Sequence, residues 1–187
     1  VPISHISKLY AVEDAKIAAV TADPAAGTTT YGTLLDIPGI KSVAIDGDIT
    51  SSELRGDNTL LDANSKLSNI SVTFNFAKLS LDALAVMLGG TVTDAGTGTA
   101  ETATYRLLNT NSFGYFKFEA KTPTAGVDEV NGDGHLVFYK CQIASFPSFG
   151  LAEEEYQTIS VSVNALARLS DNRWMDVVLN ETAAAIS

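Results

Sequence analysis

Very little in this chain is equipped for redox, metal or acid–base chemistry. Its 187 residues include one cysteine, Cys141, and two histidines, His5 and His135. A lone cysteine excludes an internal disulfide. Set in the alternating run of residues 136–143, it reads as a small buried hydrophobe rather than a reactive thiol. Structural zinc needs Cys and His clustered at short spacing, and no such cluster is present. The histidines lie near strand starts, far apart in sequence, and read as exposed or capping groups. No G-x-S-x-G elbow accompanies them to complete a nucleophilic triad. Basic residues are scarce too: 12 Lys and Arg stand against 22 Asp and Glu, for a formal charge of −10. Tight binding to nucleic acid draws on clustered cations, so that class is excluded. No run approaches the ~18 apolar residues of a membrane span, and no signal-peptide pattern opens the sequence. The expectation is a protein made and kept in a reducing cytoplasm, with no membrane partner, no metal and no cofactor.

The remainder is ordinary globular material, 45% hydrophobic and 18% charged, enough for one domain over residues 1–187 with a real core. Strand patterns dominate it. Residues 3–12, 16–21, 113–121, 136–146, 156–166 and 173–179 read as strands, parted by the turn chemistry of Asp23-Pro24, Pro38-Gly39 and Asn131-Gly132-Asp133-Gly134. Residues 91–101, rich in Gly, Thr and Ala, read as a mobile loop, Glu153-Glu154-Glu155 as a solvated turn, and residues 180–187 as a frayed or partner-dependent tail. The one helix, residues 81–88, has Ser80 as N-cap, Asp82 in its first turn and Gly89 after its end. Leu81, Leu84, Ala85 and Leu88 form its expected apolar stripe. At about two turns it cannot stand alone in water and must pack on the sheets.

The most informative stretch is a hairpin over residues 40–77. In residues 41–50, Val43, Ile45 and Ile49 alternate with Ser42, Ala44, Asp46, Asp48 and Thr50. In residues 68–76, Ile70, Val72, Phe74 and Phe76 alternate with Ser71, Thr73 and Asn75. Such period-two patterns mark strands with one buried and one solvated face. Between them, residues 51–67 are far longer than a hairpin loop of ~2–5 residues. This arm carries Glu53, Arg55, Asp57 and Asp62 around the apolar pair Leu60-Leu61. Mixed charge around an apolar centre is the composition of an interface. The polar face of the two strands is small, neutral or acidic, with no Lys or Arg. Neither Asp46-Gly47-Asp48 nor Gly96-Thr97-Gly98 completes a calcium or dinucleotide motif. An enzyme is therefore poorly supported.

The run Gly39-Ile40-Lys41 into an alternating strand, then Glu53-Leu54-Arg55-Gly56-Asp57-Asn58, a second strand, Leu79-Ser80-Leu81-Asp82-Ala83-Leu84 and Leu88-Gly89-Gly90, resembles the major tail (tail tube) protein of long-tailed bacteriophages. The resemblance covers roughly residues 39–92, and tubes of contractile tails and of type VI secretion share the layout. It implies a mainly β fold, a β-sandwich or small barrel with one flanking helix and a long hairpin. It further implies homo-hexameric rings stacked into a tube in the virion tail, assembled in the bacterial cytoplasm alongside other tail proteins. DNA would pass through the lumen during ejection without specific binding. Carried onto this sequence, Ser42, Ala44, Asp46, Asp48, Thr50, Ser71, Thr73 and Asn75 would face the lumen. Glu53, Arg55, Asp57, Leu60, Leu61 and Asp62 would form the inter-ring arm. The competing readings are a β-sandwich module recognising a glycan or protein through Tyr115, Tyr139, Phe149 and Trp174, and a phage head decoration or tail-completion protein.

Overall fold

The computed structural model describes residues 8–124 and 132–187, so His5 and, of the turn cluster, Asn131 lie outside the described residues, whereas Asp133 and Gly134, read from sequence as turn, begin a strand. The fold is mainly β: β1 (Asp14–Ala22), β2 (Thr30–Tyr31), β3 (Leu35–Asp36), β4 (Ile40–Gly56), β5 (Thr59–Phe76), helix α1 (Leu81–Leu88), β6 (Thr91–Ala95), β7 (Thr102–Arg106), β8 (Phe116–Pro123), β9 (Asp133–Ile143), β10 (Ile159–Ala165) and β11 (Met175–Asn180). Nine strands form one antiparallel sheet in the order β2-β1-β8-β9-β10-β5-β4, with β3 on β1 and β11 on β9; β6 and β7 pair separately.

This sheet folds over onto itself. β5 and β8 are separated by two strands in the sheet order, yet Phe74 of β5 stacks on Phe118 of β8 with ring centroids 4.6 Å apart. The corner lies between β9 and β10, which share only the pairs Val163↔Ile143, Asn164↔Gln142 and Ala165↔Cys141. The two halves thereby face each other as a sandwich, the architecture in which alternating inward residues of both layers make the core. Val72, Phe74, Phe76, Val161 and Val163 supply one layer, and Ile17, Phe116, Phe118 and Phe138 the other. Cys141 is buried among them, and burial pushes its thiol well above the ordinary value.

Helix α1 packs into the same core. The Ser80 hydroxyl accepts the Ala83 N–H (3.3 Å), as its position before the helix predicts. The buried face is Ala83, Leu84, Met87 and Leu88, rotated from the expected stripe: Ala85 is only half-buried, and Met87 takes the central place. Gly90 (φ +91°) then lets the chain run close to β7, where a Cβ would come within 2.5 Å of the Arg106 carbonyl. Residues 91–101, read from sequence as a mobile loop, instead hold β6 and a short 3-10 turn, and β6 pairs with β7 from Thr91↔Arg106 to Ala95↔Thr102.

The Phe74–Phe118 stack joins the two layers, so truncating it leaves a cavity that neither half can close alone. Phe118→Ala is expected to lower stability by about 3–5 kcal/mol, read as a drop in the urea midpoint with an unchanged slope. A loss under about 1 kcal/mol would show that the layers are held together elsewhere.

Candidate functional site

The hairpin is larger and more regular than its sequence suggests. The arm over residues 51–67 is not a loop: β4 and β5 remain paired to Gly56↔Thr59, and only Asp57 and Asn58 turn the chain. Both have positive φ, 49° and 60°, the type I′ geometry whose twist matches that of the flanking strands. The hairpin is closed at its base by the Ala77 N–H donating to the Gly39 carbonyl (2.8 Å).

Beyond a first bulge at Lys41, two more along the ribbon keep its faces in phase. Asp48 opposes Asn69 but Ile49 opposes Leu67, leaving Ser68 as an extra residue whose hydroxyl donates to the Asp48 carbonyl (2.9 Å). On β5 the apolar residues fall at even positions from Ile70 to Phe76. Without the extra residue, Leu67 would land on the polar face; with it, Leu67 lies opposite Ile49, its Cδ1 close over Gly47. The last bulge, at Leu61, sets Leu60 opposite Arg55.

One face of the ribbon is therefore an apolar continuation of the core through Val43, Ile45, Ile49 and Leu67; beyond them it carries Ser51, Ser65, Glu53 and Ala63 before Leu60, which stands opposite Arg55. The body covers only its beginning. Val43 is half-buried, whereas Ile49 is 71% exposed and Leu60 49%.

The other face is polar, and the register places all eight expected residues on it. Cross-strand pairs are Ser42↔Asn75, Ala44↔Thr73 and Asp46↔Ser71, followed by Asp48↔Asn69 and Thr50↔Lys66. The face also continues onto β10 in rows: Ser160 lies beside Asn75, Ser162 beside Thr73 and Asn164 beside Ser71. Asn75 donates to the Ser42 hydroxyl (2.8 Å), and the Thr73 and Ser162 hydroxyls are 3.1 Å apart. Gln142 of β9 extends the third row. Sequence reasoning missed Ser160, Ser162, Asn164, Asn69 and Gln142. The alternation on β10 was visible, but nothing local says which strand it pairs with. It also missed Lys66, so the strip is not wholly free of cations: one stands at its outer end.

At the tip, Leu54, Leu60 and Leu61 are exposed beside Glu53, Asp57 and Asp62. The Arg55 guanidinium is tied to Glu53 at 2.7 Å, an exposed pair that adds little stability.

A second polar cluster, on the outer face of β8 and β9, was not anticipated. His135, expected to be exposed or capping, is buried. Its Nδ1 is 2.7 Å from Glu119 and its Nε2 3.3 Å from Asp133. Glu119 also pairs with Lys117 (2.8 Å), and Asp133 with Lys121 (3.3 Å). Residues 180–187 are not frayed but lie over this network. Asn180 and the Ala184 N–H donate to Asp133 (2.7 and 2.8 Å), Lys117 donates to the Ser187 carbonyl, and Ile186 is buried. The cluster is internally paired, and among the described residues no group of three or more His, Cys, Asp or Glu could hold a metal ion. The aromatics of the binding-module reading are largely engaged as well. Tyr139 lies under Arg168 (3.8 Å) and donates to Asp176 (2.5 Å), Tyr115 lies under Lys140 (4.6 Å), and Trp174 packs on the core, leaving Phe149 exposed.

This outer face makes the fold acid-sensitive. The Lys140 ammonium hydrogen-bonded to Asp23 holds that carboxyl below its ordinary 3.8, against the upward push of burial and with help from the Leu169 N–H and Thr29. Burial pushes Asp133 upward, but Asn180, the Ala184 N–H, His135 and Lys121 together outweigh it, so it too lies below 3.8. A carboxyl depressed in the folded state contributes stability that is present above its unfolded pKa and lost as pH falls through the folded value. Urea midpoints should therefore fall steeply below about pH 4. Asp133→Asn should lower stability at neutral pH and flatten that acid limb; an acid limb as steep as the parent's would remove Asp133 from this account. In comparisons with known proteins, no protein-family model and no curated protein matches the chain.

Proposed function

We propose that this chain is a structural protein, the subunit of a bacteriophage tail tube, which forms stacked hexameric rings whose lumen conducts DNA. The observation that carries the proposal is the two-faced ribbon: a long hairpin grown out of the sheet, with an uncovered apolar face and a polar face continuous with the rows on β10. An exposed apolar stripe beside an unpaired strand edge is a liability for a monomer. A neighbouring copy relieves both, and closing copies into a ring leaves no edge. The polar face suits a bore. Phosphates adhere to Lys and Arg, and the strip offers Ser, Thr, Asn and two Asp, with Lys66 alone at its outer end. Its role is then passive: to let DNA through without holding it.

Negative-stain microscopy of the purified protein at high concentration is expected to show rings or tubes. A uniform monomer that binds sugars would replace this reading with the binding module. For the bore, Asp46→Lys combined with Asp48→Lys alters two exposed side chains and should shift folding stability by no more than about 0.5 kcal/mol each. DNA passage through virions built with that double variant should slow or stop. Normal infectivity in virions shown to contain it would remove these residues from the lumen.

A further inference from the structure

The ribbon needs a receiving surface on a second copy, and the groove at its own base has the right chemistry. Here Leu9, Val12, Val43 and Leu136 wall a groove of about 330 Å³, with Lys41 and Lys121 at its margin. A cavity of about 150 Å³ is enough to hold a benzene ring, so this one has room for a pair of leucine side chains. The ribbon tip offers such groups: Leu54, Leu60 and Leu61 are 61%, 49% and 63% exposed. The charges are complementary. The tip carries Asp57 and Asp62, while among the described residues the Lys41 ammonium at the groove donates to the Thr158 hydroxyl (3.2 Å) and to no carboxylate.

We infer that the tip of one copy, led by Leu60 and Leu61, docks into the Leu9–Val43–Leu136 groove of the next, with Asp57 and Asp62 facing Lys41. The inference rests on the tube reading only for the existence of a head-to-tail contact between copies. Geometry supports it in two ways. The apolar face of the ribbon begins at Val43, inside the groove, so a docked tip would add Leu60 and Leu61 to an apolar patch already present there. Groove and tip also lie at opposite ends of the ribbon. From Val43 to Gly56, at ~3.3 Å per residue, this is roughly 40 Å, which sets the displacement between successive copies. Groove and tip are different patches, so the contact is heterologous and propagates rather than closing on itself. A contact confined to a hairpin tip falls below the ~1,200 Å² of a stable pair, and so acts by repetition around a ring.

Cysteine cross-linking tests this directly, because the only native cysteine, Cys141, is buried and offers no competing thiol. Leu60→Cys and Leu9→Cys proteins are mixed, assembled at high concentration and mildly oxidised. Docking brings the two Cα atoms within the ~7 Å that a disulfide spans. The expected product is the mixed L60C–L9C dimer, in excess over either homodimer and absent from dilute protein. Assembled material without the mixed dimer, or with the L60C homodimer dominant, overturns the groove assignment while leaving assembly intact. If the unsubstituted protein sediments only as a monomer at every concentration, the assembly reading and this inference fall together. Should a cysteine variant itself fail to assemble, a charge exchange decides. Lys41→Asp and Asp62→Lys should each raise the threshold concentration several-fold, and the mixture of the two proteins should assemble better than either alone. A mixture no better than its components overturns the inference.

Discussion

The pairing register of β4 and β5 is the constraint on which the rest of this molecule depends. A strand shows its side chains to alternate faces, so a slip of one residue would exchange the core face for the solvent face along the whole hairpin. Within the body the register is held by Val72, Phe74 and Phe76 in the sandwich core. Beyond the body no core exists to hold it, and the bulge at Ser68 does so instead, returning Leu67 to the side of Ile49. A local insertion thus carries the polarity of the fold past the point where burial enforces it.

That arrangement has a structural consequence. An isolated two-stranded hairpin is marginal in water, and three strands or a packed face are needed for independent stability. Near its base the ribbon meets this requirement, because β5 is also paired with β10 from Ile159↔Phe76 to Ala165↔Ile70. From Ile49 outward β5 has only β4, and the apolar face there has no cover from the described residues. Support therefore declines from base to tip, while apolar side chains from Ile45 outward stand exposed. Under the proposed function, the part of the ribbon least able to sustain itself is the part that a neighbouring copy completes.

How much of this was legible in the sequence follows from the range of the interactions. The inner halves of β4 and β5 and the Ser80-capped helix are local patterns, visible without a structure, and so is the mainly β character. The outer ribbon was obscured because its bulges interrupt the alternation. Its Ser, Asn, Asp and Gly are also poor strand formers, and they read as loop. Asp57-Asn58 was the available signal, two residues suited to the left-handed turn of a tight hairpin. The β10 rows were hidden differently: Ser160, Ser162 and Asn164 showed their period, but a partner strand more than eighty residues away leaves no local mark. The same holds for His135, Glu119 and Lys117. Alternation assigns them to the outer face of β8 and β9, and only the covering by residues 180–187 buries them.

The distribution of charge brings these features together. The fold matches many of its cations to its own carboxylates: Lys117 to Glu119, Lys121 to Asp133, Lys140 to Asp23, Arg168 to Asp171, Arg173 to Asp176 and Arg55 to Glu53. With a formal charge of −10, the excess is left to acidic groups such as Asp46 and Asp48 on the ribbon's polar face. Copies of such a chain repel one another, as each repels a phosphate backbone. Under the proposed function the two repulsions need not conflict, because they act over different distances. At physiological ionic strength, like charges separated by more than about 8 Å are largely screened. The apolar stripe acts only at contact, and salt does not screen it away. Copies that touch through Ile49, Leu60, Leu61 and Leu67 can therefore remain together, while a polyanion meeting only the Ser, Thr, Asn and Asp rows finds nothing to hold it. The two faces of one ribbon, kept apart by one extra residue at Ser68, would separate cohesion from passage.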